Sequence, residues 1–93
     1  MSYELLNAEV MNDKHPDSFE IPSFEKRSNV EVGQAVKLVF QYKDGSERMW
    51  CQVNQVLPFA YIGVLISEPV HDYLAAGATV SWAPENIIDI GEQ

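Results

Sequence analysis

The stretch from Ala35 to Ile66 leaves the chain few folds to choose from. AVKLVFQY, the turn KDGS, ERMWCQVNQV and then LPFAYIGVLI follow one another as alternating strands with their turns supplied. In the first run Val36, Leu38, Phe40 and Tyr42 point one way and Lys37, Val39 and Gln41 the other, because strand side chains alternate with a period of two. Asp44-Gly45 is a strong hairpin signal, since glycine tolerates the positive φ that tight turns demand. On the second run Met49, Cys51 and Val53 share one face, opposite Arg48, Trp50, Gln52 and Asn54. A tryptophan among polar neighbours is either roofed by another part of the chain or used to grip a partner.

The remaining segments read as additions to this sheet. Tyr3, Leu6 and Val10, with Leu5 and Met11, make an apolar stripe at helical spacing that Ser2 can cap, and Pro16 ends the helix by His15. Three turns are too short to stand alone, so the helix is expected to dock on the sheet. Phe19 to Pro22 reads as a short extended segment, Ser23 caps a single turn through Arg27, and Val30 to Gln34 is the loop into the first strand. Beyond Pro58, Ala60 to Ile66 is a third strand, with Ile62, Val64 and Ile66 inward and Tyr61 and Leu65 outward; Gly63 suits a bulge or a close backbone approach. Ala78 to Ala83 is the next strand, with Val80 and Trp82 on one face, and Pro84 to Ile88 reads as one helical turn led by proline.

Four or five short strands in about sixty residues predict a mainly β, α+β fold: a small, strongly bent antiparallel sheet, an SH3-like barrel, with the N-terminal helix packed on it. Ninety-three residues, 46% of them hydrophobic, suit one domain, with residues 1–34 as cover and 35–90 as core. No apolar run reaches the length of a membrane span, and MSYELLNAEV lacks the basic start and apolar core of a leader, so a soluble cytoplasmic protein is expected.

Charge narrows the partners. Residues 1–32 carry seven acids against three bases, 33–66 two against three, and 67–93 five against none, within a net charge of −8. Such a surface repels phosphate backbones and disfavours nucleic acid, while suiting a basic protein.

Chemistry is scarce. The single Cys51 has no disulfide partner and faces the expected core, where burial raises a thiol pKa and removes the nucleophile. Asp13, His15 and Asp17, and His71-Asp72, mix carboxylate with imidazole, but two histidines without HExxH spacing or a cysteine set make no metal site. The glycines are scattered singly, so no phosphate loop forms. No cofactor is called for, and what remains is surface recognition. Trp50, Tyr61 and Trp82 make an aromatic patch if their strands are neighbours, with Arg48 beside it and Glu68, Asp72 and Glu85 on an acidic rim. In the competing arrangement Trp82 fills the barrel and the N-terminal helix covers Trp50.

Val36-Lys37-Leu38-Val39-Phe40, Glu47-Arg48-Met49-Trp50, Gly63-Val64-Leu65 ahead of Glu68-Pro69-Val70, and Pro84 to Asp89 together resemble small bacterial domains of unknown function related to the DUF2314 group and to immunity proteins of polymorphic toxin systems. The resemblance runs from about His15 to Ile90. It implies the fold and an interaction role, and the expected function is a non-enzymatic protein-binding module, of immunity type, whose acidic face masks a basic partner. The alternative is a small ligand-binding domain or enzyme with a cleft between helix and barrel; an open aromatic patch favours the first, a deep pocket with convergent polar groups the second.

Overall fold

The computed structural model describes residues 3–91. Its centre is β2 (Ala35–Tyr42), a strand buried on both faces. Val36, Leu38, Phe40 and Tyr42 point into the main core as the alternation predicts, and Val39 on the opposite face is buried in a second cluster with Ala8 and Ile88. One edge of β2 pairs antiparallel with β3 (Gly45–Leu57) from Ala35↔Gln52 to Tyr42↔Gly45. Lys43 and Asp44 form the two-residue turn between them, and Gly45 takes the positive φ of 153° just after it. The hairpin therefore forms where Asp-Gly predicts, although the glycine opens the second strand rather than sitting within the turn.

β3 is long enough to serve two neighbours. Its second half pairs with β4 (Ala60–Leu65), with a register shift between Val53 and Gln55 that leaves Asn54 as an extra residue. A bulge of this kind raises the local twist and bends the strand. β4 then pairs with β5 (Thr79–Trp82), and a 3-10 turn at Pro84–Asn86 leads to β6 (Ile87–Ile90), which returns to the remaining edge of β2. The same edge, nearer its other end, holds β1 (Glu4–Leu5). The result is a strongly curled, six-stranded antiparallel half-barrel with two short helices, α1 (Ala8–Lys14) and α2 (Phe24–Ser28). No helix among the described residues is long and apolar enough to cross a membrane.

Three expectations are corrected. First, the N-terminal stripe is not one helix: Glu4–Leu5 is strand, Leu6 N–H donates to Val39 O at 3.0 Å, and the helix begins only at Ala8, with Asn7 accepting from Val10 N–H at 3.1 Å. The proposed cap Ser2 lies outside the described residues. The open edge of β2 offers pairing partners that an isolated stripe cannot reveal, and Val10 is left exposed. Second, β4 has the opposite facing: Tyr61, Gly63 and Leu65 are buried, while Ile62 and Val64 lie half-buried outside and Ile66 is exposed. Nearly every residue of that strand is apolar, so period-two contrast is absent, and one step of register exchanges the faces. Third, Ile87 to Ile90 is strand rather than the end of a helical turn. Ile87 enters the main core and Ile88 the second cluster, so both faces of β6 are covered and the run shows no alternation.

The inward facing of β4 depends on Gly63. It lies opposite Val53, where a Cβ would collide with the Gln52 carbonyl and sit 2.8 Å from the Trp82 ring. Trp82 occupies the space that the missing side chain leaves. Gly63→Ala is therefore expected to destabilise by about 3 kcal/mol, at the upper end of overpacking, read as a lowered denaturant midpoint with an unchanged slope. Cys51, fully buried between these strands, should lose only about 1 kcal/mol on change to Ala, and its thiol should label no faster than the chain unfolds.

Candidate functional site

Buried Arg27 ties together the elements that border one apolar concavity. Ser23 caps α2 by accepting from Lys26 N–H at 3.2 Å, and the single helical turn that follows sends Arg27 inward, where it is only 5% exposed. Its Nε donates to Pro22 O at 2.8 Å, and Nη1 donates to Glu9 Oε2 at 2.7 Å and Pro84 O at 3.0 Å. The Arg27 carbonyl in turn accepts from the Tyr61 hydroxyl at 2.7 Å, and that oxygen accepts from Val30 N–H at 3.3 Å. A buried guanidinium is costly unless its donors are used, and here they bind α1, the chain before α2 and the 3-10 turn together. Asn86 adds a tie from the turn to Leu6 O at 3.1 Å.

These ties hold open a groove of about 360 Å³ between α2, the β3–β4 hairpin tip and the 3-10 turn. Phe24, Leu57, Pro58, Phe59, Tyr61 and Pro84 supply apolar walls, and Glu9 and Glu85 stand at its rim. Phe59 is 87% exposed and Phe24 66% exposed, so two phenylalanines face solvent beside an apolar concavity. Glu9 is ion-paired with Arg27, while Glu85 has no cation within ion-pair distance among the described residues.

The predicted aromatic patch does not form. Tyr61 and Trp82 are cross-strand partners inside the main core, each 3% exposed, with ring centroids 6.0 Å apart. Trp82 is thus core, and Tyr61 meets the groove only as part of its wall. Trp50 lies on the outer face, half-buried. Lys37 Nζ sits 5.3 Å over its ring, and Gly91 packs against the ring edge. Exposed Arg48 stacks on Phe19 at 5.6 Å. The charged group over the Trp50 ring is therefore a cation, with Asp89 opposite Lys37 on the neighbouring strand, and the Trp50 backbone N–H donates to Ser67 Oγ at 2.8 Å. Glu68 is exposed on the β4–β5 connection and does not line the groove, and Glu85 alone of the predicted rim residues reaches it.

A second constellation sits at the β2–β3 turn. Glu47 accepts from the Tyr42 hydroxyl at 2.7 Å and from the backbone N–H groups of Val70 and His71, and His71 Nδ1 lies 3.4 Å away. Burial works to raise the Glu47 carboxyl, but these donors outweigh it and hold the group below its ordinary value. Burial, and then the bond to Glu47, push the Tyr42 hydroxyl far up. His71 packs on Tyr42, and Tyr42 on Tyr73, so the carboxylate fastens the connection to the hairpin by rings as well as hydrogen bonds. Burial also pushes the Cys51 thiol up to about 12, which removes it as a nucleophile near neutral pH. No group of three metal-ligating side chains occurs among the described residues.

Sequence reasoning missed Arg27, Phe24, Phe59 and Glu47. Phe59 had a usable signal, an aromatic at a proline-bearing hairpin tip, where turns lie at the surface. Arg27 and Glu47 had none, because their partners are distant in the chain. Because the Glu47 pKa is lowered in the folded state, its contribution is complete above the unfolded carboxyl value and is lost as pH falls through the folded one. Glu47→Gln should therefore flatten the acid arm of the stability profile below about pH 4.5 and speed amide exchange at Val70 and His71 at neutral pH; a variant with an unchanged acid arm would remove the clamp. No protein-family model, curated protein or solved structure matches this chain.

Proposed function

We propose that the chain is a non-enzymatic protein-interaction module that grips a basic protein partner through the groove beside Arg27. One observation carries this reading: Phe24 and Phe59 stand open at an apolar concavity rimmed by unpaired Glu85, on a chain of net charge −8. Large exposed aromatics beside a pocket are the side chains that dominate interface energy when a partner buries them. The surrounding charge favours a positively charged partner and disfavours nucleic acid. The resemblance to immunity proteins of polymorphic toxin systems points the same way, toward masking a basic surface on another protein. A cytoplasmic setting suits the reduced, buried Cys51.

An SH3-like reading of the fold is supported by the 3-10 turn between the last two strands and the return of β6 to β2, with α1 as an added cover through Ala8 on Val39 and Ile88. The second functional reading, a small-ligand cleft between helix and barrel, draws on the groove's volume, which falls in the range of small-molecule sites. The openness of Phe24 and Phe59, and a lining with few polar groups, favour a protein surface instead.

The measurement is affinity for a captured partner. Phe59→Ala should weaken binding by about 2 kcal/mol or more with unchanged melting, because Phe59 is exposed and supports no core. Association should slow as salt rises. Catalytic turnover, or full affinity in Phe59→Ala together with loss in Trp50→Ala, would overturn the assignment to this groove.

A further inference from the structure

Resting on the reading of the groove as the binding face, we propose that its occupant is an arginine set directly beside a large apolar anchor, with the anchor against Phe24 and Phe59 and the guanidinium on Glu85. The two rim carboxylates differ in their availability. Glu9 spends Oε2 on Arg27, whose charge offsets its own. Glu85 Oε2 accepts only an amide hydrogen bond from Asn7 Nδ2, at 3.0 Å, and its other oxygen has no hydrogen-bond partner among the described residues. Asn7 is itself fixed as the cap of α1, so Glu85 is aimed before any partner arrives.

Charge and ring geometry select among occupants. A second copy of this chain would bring another −8 to an acidic rim, which like-charge repulsion disfavours. A purely apolar segment would leave the Glu85 carboxylate without a counter-charge beside a newly dried surface. Between the two cationic side chains, a guanidinium is planar, weakly hydrated and able to lie on an exposed phenylalanine while its fork meets a carboxylate. Arg27 already does the first of these on the inner side, with its Cζ 5.8 Å from the Phe24 ring centroid. An ammonium is more strongly hydrated and gains less from the rings.

The test uses the full chain, isotope-labelled, titrated with capped hexapeptides carrying Leu-Arg or Arg-Leu between glycine pairs, and with versions carrying Lys or Gln in place of Arg. The better arginine peptide should shift the amides of Ser28, Phe59 and Glu85 and bind about fivefold more tightly than its glutamine counterpart, the sum of one exposed ion pair and one cation–π contact, with the lysine peptide between the two. Glu85→Gln should cut that margin to the roughly twofold left by the cation–π contact while leaving the glutamine peptide's affinity unchanged. Equal binding of the arginine and glutamine peptides at the groove would overturn the arginine and leave the groove standing. Peptides that leave these amides unmoved at millimolar concentration, or that shift the Trp50 face instead, would overturn both.

Discussion

The buried Arg27 guanidinium is the interaction on which the groove depends. It meets three oxygens from three separate segments, and the Arg27 backbone carbonyl accepts from the Tyr61 hydroxyl on β4. Removing such a group leaves carbonyls without partners in a site that water reaches poorly, which costs more than the bonds themselves contribute in net terms. Glu9 is partly exposed, so the ion pair alone adds little; the geometry comes from the fork of donors. The groove and the stability of the N-terminal segment thus share one side chain.

The curl of the sheet has a separate cause. β2 is covered on both faces and paired on both edges, so it can hold the curled sheet without an exposed edge of its own. Curvature comes from the bulge at Asn54 and from Gly63, where the Trp82 ring replaces a side chain. Trp82 is consequently committed to packing, and its neighbour Tyr61 to packing and to the Arg27 carbonyl. Aromatic residues close in space on paired strands therefore serve the interior, whereas those on a hairpin tip and a short helix are left to solvent.

Charge is distributed to match. Glu47 is surrounded by donors at one turn of the sheet and fixes the β4–β5 connection there, while Glu85 at the groove is hydrogen-bonded by an amide alone. Lys37 and Arg48 lie over Trp50 and Phe19 on the outer face, without a carboxylate within ion-pair distance among the described residues. Glu20 and Asp89 lie on the same surface, Asp89 as the cross-strand partner of Lys37, so that face carries both signs of charge.

The sequence by itself determined what local physics can encode. Alternation set the inward faces of β2, the first half of β3 and β5; Asp44-Gly45 set the hairpin; Ser23 and Pro84 set the short helical turns. Where a strand is apolar on both faces, as in β4 and β6, the pattern has no contrast and tertiary structure alone chose the facing. Tertiary structure also converted the N-terminal stripe into a strand, because the free edge of β2 satisfies backbone groups that a short helix leaves open. The groove was illegible for the same reason: Arg27 reaches Glu9 and Pro84 across 18 and 57 residues, and Asn86 reaches Leu6 across 80. Such contacts follow from the closure of the sheet, which brings distant oxygens within reach of one guanidinium and leaves no periodic trace in the chain.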